Sequence, residues 1–197
     1  MLEHNPNYST RFRALGLAML TGAPASFADT FGGMLDEVAF EYRFFLAHFD
    51  QGYRVDLTSW DWKRTFTELV PGETATTRVS AQRGWQPTGV TVAAGERYEF
   101  TATGTWQTAK DGQATSANGQ ADGTGRLDAV VMKDFRLSSP QALQTQGSFT
   151  PTTSGQLYLR CHDKWNELAD NRGTISVKIK RAGEGSPAVV SNRADGN

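Results

Sequence analysis

A mainly β protein, with a small antiparallel β-sandwich behind a helical N-terminal region, is the fold this sequence predicts. Three observations lead there. From about residue 78 onward, short segments alternate apolar and polar side chains with a period of two, as strands with one buried face do. Gly, Pro, Asn and Asp separate these segments at the spacing of a sandwich's turns. Upstream of them, one segment repeats its apolar residues three and four apart, which is the helical period.

The helix comes first in the chain. Residues 29–50, DTFGGMLDEVAFEYRFFLAHFD, place Leu35, Val38, Tyr42, Phe45, Leu46 and Phe49 on one stripe, with Asp36, Glu37, Glu41 and Arg43 on the other side. Asp29 or Thr30 is positioned to cap its start, and Gly52 sits where a left-handed stop belongs. A stripe this aromatic is expected to bury against the rest of the chain. Before it, RFRALGLAMLTGAPASFA combines two arginines, an apolar run from Ala14 to Leu20 and a small-residue tetrapeptide ending at Ala28. Those are the parts of a secretory signal. The run is short for that role and Glu3 precedes it, so an amphipathic helix is the favoured reading of residues 1–28. After the helix, Trp60 and Trp62 alternate with polar neighbours as in a short strand, and VPGETATT reads as a turn or linker.

The strands follow. Tyr98, Phe100 and Ala102 share one face of RYEFTAT; Leu157, Leu159 and Cys161 share one of QLYLRC; Ile175, Val177 and Ile179 share one of TISVKI. RLDAVVMK is a further strand candidate. From Gly183 the tail has little to bury and is expected to be disordered. The chain therefore divides into a helical region with linker at 1–77, the sandwich at 78–182, and a tail at 183–197.

Bulk charge narrows the function. The net charge is -1, from 20 basic and 21 acidic residues without a long basic run, which points away from nucleic acid or an anionic membrane as partner. No apolar run approaches the ~20 residues of a membrane span. The lone Cys161 excludes an internal disulfide and suits a cytoplasmic protein or a secreted one without staples. Cys161 and His162 do not make a nucleophile and its base, because neighbours on a strand point to opposite faces. No His-Glu-x-x-His, Gly-x-Ser-x-Gly or phosphate-cradling loop occurs, so a binding protein rather than an enzyme is expected.

Two loops carry oxygen-rich side chains. KDGQATSANGQADGTG, residues 110–125, holds Asp111 and Asp122, but their spacing matches no calcium loop, and binding and disorder stand level for it. HDKWNELADNRGTISVKI, residues 162–179, brings Asp163, Asp170 and Asn171 together around a six-residue excursion. Calcium takes six to eight oxygens from carboxylates, amides, main-chain carbonyls and water. Those three side chains with the Glu167 carbonyl would begin such a set, and Trp165 would stand beside it with a flat face for a sugar. ADNRG is equally a hairpin turn with Asp, Asn and Gly in their usual roles, and on composition alone the turn is the simpler reading.

Residues from about 79 to 180 resemble the LecA (PA-IL) type of bacterial galactose-binding lectin, a calcium-dependent β-sandwich. TGVTVAAGERYEFTATGTW looks like its opening strand, Gly turn and strand ending in Gly and Trp. DAVVMKDF looks like its central strand, and SFTPTTSGQLYL like the Phe strand and Gly turn before the calcium strand. HDKWNELADNRGTISVKI resembles its calcium loop without a gap. The resemblance implies a calcium ion held by Asp163, the Glu167 carbonyl, Asp170 and Asn171, with another carbonyl from Thr108 or Ala109. It further implies sugar contacts from Asp163, Trp165, Glu167, Asp170 and Asn171. Gln120 stands in for a family Gln, whereas the family's contacting His has no counterpart in SANGQADGTG. A secreted or periplasmic, calcium-dependent carbohydrate-binding domain for a galactose-like sugar is what the resemblance leads one to expect, with a homo-oligomer or a larger neighbour as partner and a cytoplasmic setting left open. The alternative is a non-catalytic interaction module of a larger secreted protein.

Overall fold

The structure, a computed structural model, describes residues 1–183; the tail expected to be disordered lies outside them beyond Gly183. Period-two alternation becomes two facing sheets. One runs in the order β1 (Thr67–Glu68), β3 (Gln86–Val92), β9 (Gly155–Cys161), β5 (Leu127–Lys133) and β6 (Arg136–Leu137), with β7 (Gln141–Leu143) also paired to β5. The other runs β2 (Thr74–Ser80), β10 (Arg172–Arg181), β4 (Tyr98–Gln107) and β8 (Gln146–Phe149). The β1–β3 contact is parallel and the other pairs are antiparallel.

The expected inward faces are the inward faces. Tyr98, Phe100, Ala102, Leu157, Leu159, Cys161, Ile175, Val177 and Ile179 meet between the sheets with Val79, Val90, Val92 and Leu127. Each such aliphatic side chain contributes about 1.5–3 kcal/mol by leaving water. VPGETATT is a turn only as far as Glu73. From Thr74 the chain is strand β2, laid along β10 from Thr74 opposite Lys180 to Ser80 opposite Thr174. The strand set thus begins upstream of residue 78.

Strand β5 is buried on both sides through Met132. Ala129 and Val131 face the sandwich core, while Val130 and Met132 face a second core with Phe40, Trp60, Trp85, Tyr158, Trp165 and Leu168. The N-terminal region supplies that cover, through α1 (Ser9–Leu20), α2 (Phe27–Phe31), α3 (Leu35–His48) and α4 (Val55–Thr58). The result is three layers: helices with aromatic loops, then one sheet, then the other.

The helix of residues 29–50 departs from expectation in two ways. Gly32–Met34 forms a tight 3-10 turn that splits it into α2 and α3, and Ser26 caps α2 by accepting the Asp29 N–H at 3.0 Å, in place of Asp29 or Thr30. Gly52 does end the helical stretch in the left-handed region at φ 67°. The buried face is also different. Of the expected stripe only Val38 is buried, and Leu35, Tyr42, Leu46 and Phe49 are exposed. The cause lies in Trp60 and Trp62, which form no strand. They stack 5.9 Å apart in irregular chain and meet Phe40 edge-on at 5.0 and 5.7 Å, turning that side of α3 inward. Glu41, expected in solvent, is 5% exposed. It accepts hydrogen bonds from Tyr8 Oη at 2.8 Å, Trp62 Nε1 at 2.7 Å and Asn7 Nδ2 at 3.3 Å, and from Asn5 Nδ2. Burial pushes its carboxyl pKa up, and those donors pull against the rise.

Candidate functional site

Strand β9 alternates to its end. Leu157, Leu159 and Cys161 enter the sandwich core, while Tyr158, Arg160 and His162 belong to the opposite face, towards the helices. Burial drives the Cys161 thiol pKa far up, so it is an inert core thiol, as its position predicts. Arg160 stands opposite Asp128 of β5. Its guanidinium lies between two indoles, 3.9 Å from the Trp165 ring centre and 5.3 Å from that of Trp85, and Nη2 donates to the Asp163 carbonyl at 2.6 Å. That contact fixes the chain where it leaves the sheet.

Asp128 is buried between two partners. Arg126 Nε donates to one oxygen at 2.8 Å, and His162 Nδ1 meets the other at 2.7 Å. With Nδ1 engaged, the half-exposed His162 ring is held with Nε2 free to meet a ligand. The strand end is also tied to the long polar loop, since the Gly125 N–H donates to the His162 carbonyl and the His162 N–H to the Arg126 carbonyl, each at 2.7 Å. That loop is ordered: Thr115 bridges Trp106, Asn118 bridges Arg126, and Asn118 Oδ1 accepts the Thr145 N–H at 2.9 Å.

Asp163 and Asn171 stand out by what they lack. Asp163 is 6% exposed; Oδ1 accepts the Lys164 N–H at 2.8 Å, while Oδ2 is buried without a partner. Asn171 is fully buried; Nδ2 donates to the Ala81 carbonyl at 3.1 Å, while Oδ1 is buried without a partner. The side chains are neighbours: burial pushes the Asp163 carboxyl pKa up, and the Asn171 amide and Lys164 N–H oppose that rise. A buried acceptor left unpaired costs about 1–3 kcal/mol, so two adjacent ones call for an occupant. Asn171 and Thr108 each stand one residue beyond the last β4–β10 pair, Arg172 with Gln107. Thr108 is buried and Ala109 exposed, so Thr108 is the better-placed candidate carbonyl.

The remaining expected site residues are placed differently. Asp170 is half-buried and, among the described residues, has no hydrogen-bond or ion-pair partner. The Glu167 carboxylate is exposed and pairs with Lys164 Nζ at 2.9 Å, which leaves its main-chain carbonyl as the candidate ligand. Trp165 is 7% exposed, with Arg160 over its ring and Phe44, His48 and Tyr53 packed around it at 5.2–5.6 Å. It is no open stacking platform, because the helical layer occupies it. Gln120 is exposed in the polar loop.

Asp163 opens onto a cleft of about 870 Å³ whose wall also includes Asp122, Thr124, His162, Lys164 and Asn166. Gly52, at the end of the helical layer, stands on the rim; a Cβ there would lie 2.8 Å from Asn166 Cβ, so only glycine allows the approach. Gln120, Glu167, Asp170, Asn171 and Thr108 are not on that wall. Among the described residues no group of three or more His, Cys, Asp and Glu side chains is arranged to hold a metal ion. A cation at Asp163 and Asn171 would rest on one buried carboxylate, amide oxygen and main-chain carbonyls, an all-oxygen set that fits calcium and not zinc. Sequence reasoning missed Asp128, Arg160 and His162 as site residues. The available signal was the single charge of Asp128 inside the otherwise apolar LDAVVM.

No protein-family model and no curated protein matches the sequence. Among solved structures the chain is similar to one described as the EclA N-terminal domain, a PllA-like lectin, with 23% identity and a TM-score of 0.46 over 54% of this chain and 95% of that one. It is also similar to a functionally unknown conserved protein from Bacillus anthracis str. Ames, with 16% identity and a TM-score of 0.33, and to a mutant of such a protein, with 15% and 0.32; each covers 59% of this chain and 22% of the other.

Proposed function

We propose that the chain is a calcium-dependent carbohydrate-binding domain whose sugar lies in the cleft beside Asp163. One observation carries the reading: two neighbouring side chains, Asp163 and Asn171, each bury an oxygen that accepts no hydrogen bond within 3.5 Å from any described residue. Asp163 and Asn171 would hold the ion, with Asp170 and the carbonyls of Glu167 and Thr108 completing its oxygen set. Bound there, calcium would supply a concentrated positive charge for two adjacent sugar hydroxyls to coordinate. The cleft volume of about 870 Å³ is within the range of small-ligand sites. His162, its ring oriented by Asp128, offers Nε2 to a further hydroxyl, in the part the sequence left without a histidine. A secreted or periplasmic setting suits a site with few carboxylates, because extracellular calcium modules work at weak affinity.

A glycan array read with and without chelator tests the proposal. The expected result is a galactose-like signal that disappears with chelator; a signal that ignores chelator overturns the mechanism. His162→Ala should weaken sugar binding about ten-fold and leave calcium binding intact.

A second reading, an interaction module docking to a neighbour, draws on the exposed Tyr42 and Leu46 of α3 and Phe49 just beyond its end. A melting temperature that calcium does not raise would favour it over the first, because a ligand selective for the native state must stabilise that state.

A further inference from the structure

We propose a second binding site, separate from the calcium cup: a cleft that takes the sulfate or carboxylate group of an acidic glycan on Arg64, Arg78 and Arg83. The cleft measures about 410 Å³ and lies where three segments meet. The chain after α4 brings Ser59, Asp61 and Arg64. Strand β2 brings Thr76 and Arg78, and the turn into β3 brings Arg83.

Among the described residues, no ion pair within 4.0 Å and no side-chain hydrogen bond engages the guanidinium of Arg64, Arg78 or Arg83. Asp61 is the one acidic residue on the same wall, and its Oδ1 accepts the Lys63 N–H at 3.1 Å. The lining thus carries a local excess of positive charge in a chain whose net charge is -1. Planar guanidinium forks match the oxygens of sulfate and carboxylate, and the Ser59 and Thr76 side chains supply neutral partners for hydroxyls around them.

The framework that presents these arginines is built. Gly89, at φ 80°, leaves its Cβ position empty against Arg64, whose Nε and Nη2 would lie 3.1 Å from a Cβ there. The turn carrying Arg83 is clamped at both ends. Gln86 Oε1 accepts the Ser80 N–H at 2.9 Å, and Nε2 donates to the Ser80 carbonyl at 2.9 Å and the Gly84 carbonyl at 3.2 Å. The Gly84 N–H donates to the Leu57 carbonyl at 3.1 Å, and a Cβ on Gly84 would meet Thr58 at 3.1 Å, which joins the turn to α4. Arg83 is therefore displayed from a fixed turn, while Arg64 and Arg78 come from the segments that face it.

The test is binding of the full chain to heparin fragments and to polygalacturonate, by titration calorimetry at low and at physiological salt, with duplex DNA and inorganic phosphate as separate arms. Expected is binding to one of the acidic glycans that weakens with salt, is unchanged by chelator and by Asp163→Asn, and exceeds binding to DNA. Arg78→Ser and Arg83→Ser should each weaken it about two- to five-fold, and the triple variant with Arg64→Ser at least about ten-fold. Arg78 and Arg83 are exposed, so their variants should melt as the parent does, and the double variant carries the test should Arg64→Ser unfold. No binding to either glycan, equal binding by the double variant, or DNA bound as tightly as glycan would overturn the site. Loss of calcium-dependent sugar binding alone leaves it standing, so the two proposals fail separately.

Discussion

Asp163→Asn reverses sign with calcium, which makes it the most discriminating substitution in this protein. Asp163 is 6% exposed, one of its carboxylate oxygens has no hydrogen-bond donor among the described residues, and burial raises its pKa. Arg160 does little to offset this through charge, since its strongest attraction is to Asp128, and its contact with Asp163 is to the main-chain carbonyl. An amide of the same size removes the charge, keeps an oxygen for the Lys164 N–H and places a donor beside the Asn171 amide. Relieving one unpaired buried acceptor is worth about 1–2 kcal/mol, or a rise of about 2–8 °C in melting temperature for a chain of this size. The pH dependence has a fixed sign. A carboxylate whose folded-state pKa lies above its ordinary value contributes its full stability below the ordinary range and loses it as pH rises through the folded pKa. The advantage of Asp163→Asn in chelator should therefore grow from about pH 4 towards neutrality. Calcium at about a hundred times its dissociation constant adds about 2.7 kcal/mol to the parent and nothing to the variant, which inverts their order. Differential scanning calorimetry in chelator and in calcium reads both effects. A variant that melts below the parent in chelator, or that gains as much from calcium, would refute the reasoning.

Other substitutions test the layers around the site. Glu41→Ala strands Tyr8, Trp62 and Asn5 donors in the interface between α3 and the N-terminal chain, and should cost about 3–5 kcal/mol in urea unfolding; a cost under about 1 kcal/mol would mean that water serves them equally well. Gly173→Ala puts a Cβ 2.6 Å from the Thr105 carbonyl oxygen at φ 95°, and should cost about 2–4 kcal/mol while prising β10 from β4 beside Asn171 and Thr108. Calcium affinity should fall with it. Gly16→Ala, in α1 with nothing within 4 Å, should be neutral or stabilising by up to about 1 kcal/mol in the same assay.

The sandwich was legible because its strands obey a local rule. Tyr98, Phe100 and Ala102, or Ile175, Val177 and Ile179, alternate with polar residues, and alternation alone decides which side is buried. Helix α3 was not legible in the same way. Its six-residue stripe obeys the helical period, yet the face that packs was chosen by Trp60 and Trp62, which lie about twenty residues on and form no regular element. Glu41 reads as a surface charge because three of its four donors come from residues 5–8, far from it in sequence. The same holds at the candidate site. Asp163 and Asn171 were legible as candidates through a loop whose pattern resembles a known one. His162 and Asp128 did not, because their pairing depends on β5 lying beside β9, which no local pattern encodes. Trp165 was legible as an aromatic beside the loop but not as a buried one, since the rings that cover it belong to the helical layer. Strand β5 carried a fair hint of that layer: an unbroken AVVM run belongs to a strand covered on both faces.

A crystal structure of the chain grown with calcium tests the central claim most directly. The account predicts an ion at about 2.3–2.6 Å from Asp163 Oδ2 and Asn171 Oδ1, with the Thr108 carbonyl in its shell. Density showing those two oxygens bridged by ordered water, with calcium absent at millimolar concentration, would contradict it.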